Sequence, residues 1–227
     1  MTPILQFEQV RWTTDGTTPT PEPVMDVQLA AGDVLGIVYD EQDECPPIAD
    51  LTAGLQAPVA GRVRFAAQCW TDRSPQAAAA ARGRMRRIFA GPAWVSNLDM
   101  DENITLAERH HTRRPPEEIR AEAEALARRL GLPGLPLTRP AWTPRREQYL
   151  AQWVRALLGT PQLLLVEQPW TDFTTPAGQA LWTEIKAKRA AGMAVVWLTT
   201  DAAAMNNDVL ETSQWGRLQN GKWTYMA

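Results

Sequence analysis

At 227 residues, with 44% hydrophobic and 22% charged side chains, the chain has the composition of one soluble globular unit with room for a sizeable core. A formal net charge of −3 excludes any global pull toward nucleic acid or anionic membrane. Two cysteines, Cys45 and Cys69, offer neither a disulfide framework nor a zinc spacing.

The start MTPILQFEQV lacks the charged and apolar regions of a signal peptide, and no apolar run reaches the ~18 residues that span a bilayer. In chain order, ILQFEQVRW alternates and predicts a strand; Thr13 to Pro23 is a turn-rich connector. VMDVQLAAGDVLGIVY predicts two strands around AAGD, the second a buried apolar run from Val34 to Tyr39. PIADLTAGLQAP places Ile48, Leu51 and Leu55 at helical spacing, GRVRFAAQCW predicts one further strand, and QAAAAARGR is helix or loop. The basic run RGRMRR, Arg82 to Arg87, reads as a strand edge or a solvated face.

From about Arg84 to Trp142 the character becomes helical. PPEEIRAEAEALARRLGL has prolines and glutamates at its start, arginines in its last turn and Gly131 at its stop. A second helix runs from about Glu147 to Gly159, and LLLVE, Leu163 to Glu167, is a buried strand. TTPAGQALWTEIKAKRAAG predicts a helix with Thr175 as N-cap, Pro176 at its first position and Gly192 as its end. AVVWLTT is another buried strand, and GRLQNGKWTYM a hairpin around Asn220-Gly221. Apolar strands alternating with amphipathic helices make an α/β sheet covered on both faces. The ten tryptophans are scattered, as packing residues with one or two at an interface.

The fragments GDVLGIV, LTAGL, GRVRF, LARRLGL, VRALLGTPQLLLVEQP and GRLQNGK resemble, in order and spacing, the nucleotide-binding subunit of ABC transporters along essentially the whole chain. The resemblance implies a P-loop (RecA-like) α/β core with an antiparallel β subdomain and an inserted helical subdomain at about 84–150, within one domain of residues 1–227. It also sets a register in which the family's motifs are replaced. The phosphate loop needs G-x-x-x-x-G-K-[ST], so that backbone N–H groups and a lysine face the phosphates and a hydroxyl holds Mg²⁺. Its first glycine position is Tyr39, the second Glu44, the lysine Cys45, and the hydroxyl positions are Pro46 and Pro47. Prolines there remove N–H donors from the anion's place.

Asp40, Glu41, Asp43 and Glu44 load the same loop with negative charge; two unit charges ~5 Å apart at an effective dielectric near 20 repel by roughly 3 kcal/mol. DEQDE matches no cation loop with oxygens at fixed spacing. Glu167 stands at the family's Mg²⁺-binding aspartate and Gln168 at its catalytic base; an amide accepts no proton, and losing a general base costs ~10²–10⁴-fold. Thr200 replaces the switch histidine, Ala90 the glutamine that follows the strand RRIF, and Thr174 an acidic residue. No ATPase activity and no cofactor are expected.

The signature loop, whose helix N-terminus grips the nucleotide of the other subunit, is matched by TPRRE, Thr143 to Glu147. Arg145 and Arg146 then either clamp a partner's nucleotide, as bidentate phosphate ligands, or are solvated or paired with the acidic loops. The stretch RRIFAGPAWVSNLDMDENITLAERHHTRRPPEE is similar to that of Mce-type lipid-trafficking ATPases, most distinctively at Arg109-His110-His111-Thr112. In the family this segment faces the permease, which makes Trp94 and Val95 the expected docking contact. The adjacent His110 and His111, without acidic or cysteine company, fit an interface or solvent better than a metal. The expected role is an inactive subunit on the cytoplasmic face of a lipid or other hydrophobic-cargo transporter. Its partners would be a transmembrane permease and an active ATPase subunit or a second copy of itself, with no nucleic acid. The alternatives are a soluble regulatory or binding protein that reuses the fold, and an enzyme with a new site, for which no catalytic grouping is evident.

Overall fold

Strand β1, Leu5–Arg11, buries Leu5, Phe7 and Val10, and β2, Met25–Leu29, buries Met25, Val27 and Leu29 against them. The computed structural model describes residues 2–12, 24–41, 45–91, 93–169, 175–202, 211–219 and 222–226; the connector at 13–23 and the Asn220-Gly221 turn lie outside them. Strand β3, Val34–Tyr39, is buried at every residue. Helix α1 is shorter than its apolar spacing suggests, Ile48–Thr52, and Leu55 is 62% exposed beyond its end.

GRVRFAAQCW makes a hairpin in place of one strand: β4, Ala60–Phe65, turns through Ala66 and Ala67, both at positive φ, into β5, Gln68–Cys69. Two alanines carry no turn signature, which is why the reversal is silent in sequence. Helix α2, Pro75–Arg82, starts on a Ser74 cap, and β6 is Met85–Ile88.

Helices α3, Met100–His111, α4, Pro116–Arg129, and α5, Arg145–Leu157, pack on one another; α4 ends at Gly131, φ 90°. Strand β7, Leu163–Glu167, is buried throughout. Helix α6, Pro176–Ala190, is capped as expected, with Thr175 Oγ1 accepting from Gly178 N–H at 3.1 Å and Gly192 closing it at φ 102°. Strand β8, Ala194–Thr199, is buried at every residue, and β9, Gln214–Gln219, pairs antiparallel with β10, Lys222–Met226.

Two sheets result. A four-stranded antiparallel sheet runs β2-β1-β4-β5, and a six-stranded sheet runs β10-β9-β3-β8-β7-β6, parallel from β9 to β6. One core lies between the two sheets, around Phe7, Ile37, Leu51, Phe65 and Leu165; the other lies under the helices, around Ile104, Leu126, Trp153 and Val166. A bulge at Gln9, φ 52°, bends β1, and Gly61 lies against it so closely that a Cβ there would come within 2.2 Å of Gln9 O. Trp12, Trp153, Trp182, Trp197 and Trp223 are buried, whereas Trp142 is 78% exposed. Among the described residues no helix is long and apolar enough to cross a membrane.

Candidate functional site

The C-terminal ends of β3 and β7 flank β8, so Tyr39 and Glu167, the last residues of their strands, open on the same edge of the parallel sheet. Tyr39 is 1% exposed. Its phenol oxygen is buried near Cys45 and Gln168 without a bond of normal geometry to either, and burial pushes its pKa up. A phenol therefore fills the position at which the resemblance expects a glycine. Next to it, Pro46 and Pro47 lead into α1, whose first N–H, from Ile48, donates to Pro46 O at 2.7 Å. Burial, with the charges of Glu167 and Asp50, also pushes the Cys45 thiol up, which keeps it protonated.

Arg87 supplies the chemistry missing from the sequence reading. It lies opposite Leu165 in the register of β6 on β7, and so shares a face with Glu167 two residues on. Its Nε donates to Glu167 Oε2 at 2.8 Å and its Nη2 to Oε1 at 2.7 Å, while Nη1 donates to Asp50 Oδ1 on α1 at 2.6 Å. The Phe89 ring lies 4.6 Å from the guanidinium carbon. Burial pulls the Arg87 pKa down, but the bonds to Glu167 and Asp50 outweigh it and the net shift is upward. Glu167, 7% exposed, thus has both oxygens engaged by a protein cation.

The basic run is accordingly a strand edge, as one reading held, but not a solvated one. Side chains alternate across β6: Arg86 turns to Glu108 on α3 beneath the helices, and Arg87 to Glu167 and Asp50 on the opposite face. The charge crowding expected of the acidic loop is relieved at Asp40. Asp40 is held below the usual carboxylate range by Arg217 of β9, 2.6 Å away, so its charge is balanced rather than repelled. Glu41 is exposed; Asp43, Glu44 and Thr174 lie outside the described residues.

Gln168 is exposed at φ 41°, its N–H donating to Leu198 O at 2.9 Å; Thr200 is half-buried just past β8, and Ala90 is exposed. Arg145 and Arg146 start α5, both exposed, and neither forms an ion pair among the described residues. Arg146 borders a groove of about 560 Å³ between α5 and the start of α6.

The structure separates Trp94 from Val95. Trp94 is half-buried against the helical core, with the Arg155 guanidinium 4.4 Å over its ring, whereas Val95 is 43% exposed. Asn103 fixes that turn, accepting from Val95 N–H at 2.8 Å and donating to Val95 O at 3.0 Å. Leu106, 44% exposed, and Leu98 line a shallow depression of about 370 Å³ beside His110; helical periodicity on α3 is the signal that would have found Leu106. His110 and His111 meet edge to face at 4.7 Å, and no group of three metal-ligating side chains occurs among the described residues.

The fold is that of the ATP-binding subunit of ABC transporters. A solved structure of an ABC transporter ATP-binding subunit superposes with a TM-score of 0.80 at 19% identity, covering 99% of this chain and 90% of that one. In sequence, the spermidine/putrescine import ATP-binding protein PotA of Acidothermus cellulolyticus is 27% identical over 152 residues, 66% of this chain and 38% of that protein. The lipoprotein-releasing system ATP-binding protein LolD of Maricaulis maris is 27% identical over 175 residues, 76% of each. The chain spans only 28% to 38% of the length of the longer relatives it matches. No family model matches it. The chain thus shares the fold of ABC transporter ATP-binding subunits and is similar in sequence to several of them.

Proposed function

We propose that the chain is a catalytically inactive ABC ATP-binding subunit, acting as a scaffold or regulatory partner on the cytoplasmic face of a membrane transporter. The observation that carries this reading is the Arg87 fork on Glu167. A guanidinium bonded to both oxygens of the carboxylate competes with Mg²⁺ for the charge that a nucleotide site would use. The buried Tyr39 side chain, which adds bulk, and the two prolines before α1, which lack N–H donors, support the same reading. Gln168 in the base position removes a proton acceptor.

The partners this implies are a transmembrane permease, docked through the Val95–Leu106 surface, and an active ATPase subunit or a second copy of this chain. Lipid or other hydrophobic cargo is the traffic suggested by the Mce-like segment, and LolD, by its name, serves lipoprotein release.

Two measurements test the reading. Calorimetry of the purified chain with Mg-ATP is expected to show no saturable heat up to millimolar nucleotide; micromolar binding overturns the proposal. Gentle purification of the tagged chain from its native cells is expected to bring down a permease. Elution without one turns the reading toward a soluble regulatory protein.

A further inference from the structure

At the opposite end of the parallel sheet, where β6 and β7 begin, the fold encloses a second cleft of about 700 Å³. It is bounded by the end of α2, the end of α3, α4, the Gly159-Thr160 turn and the last turns of α6. Four cations line it, Arg84, Arg86, Arg114 and Lys188, against two carboxylates, Glu108 and Glu122. That excess occurs in a chain whose net charge is −3.

The carboxylates are already engaged. Glu108 accepts from Arg86 Nη2 and, at 3.5 Å, from Arg114 Nη1; Glu122 accepts from Arg114 Nη2 at 2.7 Å and from Gly159 N–H at 3.1 Å. The other two cations hydrogen-bond only to neutral acceptors among the described residues. Arg84 donates to Gln162 Oε1 at 3.2 Å and lies over the Phe65 ring, and Lys188 Nζ donates to the Gly159 carbonyl. Burial pulls the Lys188 ammonium pKa down, against the nearby charges of Glu122, Glu184 and Glu108 and with that of Arg129.

The walls are fixed. Arg86, 8% exposed, is held by the carbonyls of Gly83 and Met85 at 2.7 and 2.9 Å, and its Nε has no acceptor among the described residues. A Cβ on Gly83 would come within 2.6 Å of the His111 ring, so glycine there is what lets the imidazole line the cleft. Four cations against two carboxylates, with no acid bonded to Arg84 or Lys188, suit a ligand of two negative charges with several acceptor oxygens.

We propose that this cleft binds a phosphate dianion, free or as a monoester, between Arg84 and Lys188 with His110 and His111 at its edge. The site is separate from the Tyr39–Glu167 edge and does not depend on whether the chain is an ATPase.

The chain's only two histidines both line this cleft, so imidazole NMR signals report on it without background. Inorganic phosphate or glycerol 1-phosphate is titrated into the full chain at pH 7 and constant ionic strength. Saturable shifts of both histidines are expected, weakened at least 10-fold by Arg84→Gln combined with Lys188→Gln; Arg84→Gln alone, at an exchangeable neutral contact, serves if the double variant does not fold. Tighter binding of glycerol phosphate supports a monoester ligand, and tighter or equal binding of inorganic phosphate supports the free ion. Shifts that never saturate, or affinities unchanged in the variants, overturn the proposal.

Discussion

Arg87 and Glu167, 80 residues apart in sequence, lie on neighbouring parallel strands and grip each other through two N–H···O bonds of 2.8 and 2.7 Å. Their side chains are 20% and 9% exposed, so most of the pair is out of water. Coulomb attraction there is offset by desolvation, and the pair's net worth is smaller than the cost of breaking it.

Glu167→Gln is therefore expected to destabilise the fold by roughly 2–3 kcal/mol, short of the 3–5 kcal/mol of a fully buried pair. Arg87 would keep only Asp50, which is 40% exposed. Replacing both partners, Arg87→Met with Glu167→Leu, is expected to recover most of the loss, because only Asp50, 40% exposed, is then left without its cation. Urea unfolding of the three proteins measures this. A double variant no more stable than Glu167→Gln would show that the fork has no coupling.

A second network is equally sensitive. Gly159, at φ 72°, faces Glu108, and a Cβ there would come within 2.4 Å of a carboxylate oxygen. Gly159→Ala is expected to cost about 3 kcal/mol, from left-handed backbone strain and from displacing Glu108 off Arg86. Thermal unfolding reads the loss. A melting temperature within 1 °C of the parent, on the order of 0.3 kcal/mol, would contradict the contact.

These pairings mark where sequence reasoning stopped. The strands β3, β7 and β8 and the helix α6 were legible because buried apolar runs, a Thr175-Pro176 start and Gly192 at φ 102° are local signals. The Ala66-Ala67 reversal was not, since nothing in two alanines announces positive φ. Leu55 fits a helical period but falls after α1 has ended. In the site, the replaced motif residues could be placed along the chain from the family resemblance, yet Asp50 and Arg87 had no motif to mark them. Their role comes from strand register, which sets Arg86 and Arg87 on opposite faces and lets each find its own acid.

Histidine burial gives a pH dependence with a definite sign. Burial lowers the His111 pKa below 6.5, and the charges of His110 and Arg86 add to it against the opposing Glu108. Arg84, Arg114, Lys188 and Glu122 share the same cleft. As pH falls through 6.5 the unfolded chain takes up the proton before the folded one does, so stability drops until the folded value is passed. Asp40 and Glu124, both lowered, release their stabilisation only below 3.8 and 4.5, a separate window. Urea midpoints between pH 7.5 and 5.5 are expected to decline in the parent chain and to flatten in His111→Asn. Parallel slopes would remove His111 as the cause.

Arg145 and Arg146 place two cations in the first turn of α5, at the positive end of its dipole, with Glu147 the one acid in that turn. For the isolated chain this is unfavourable, and Arg145→Ala combined with Arg146→Ala is expected to raise stability by about 0.5 kcal/mol. If the turn faces a nucleotide held by a partner subunit, the same change has the opposite consequence there. Each guanidinium bond to a phosphate contributes about 1.5–3 kcal/mol, so ATP-dependent association is expected to weaken by roughly 10- to 100-fold per arginine. Calorimetric binding to a partner with an intact phosphate loop, with and without ATP, measures the difference. A variant that is more stable alone and associates as before would leave these arginines to solvent.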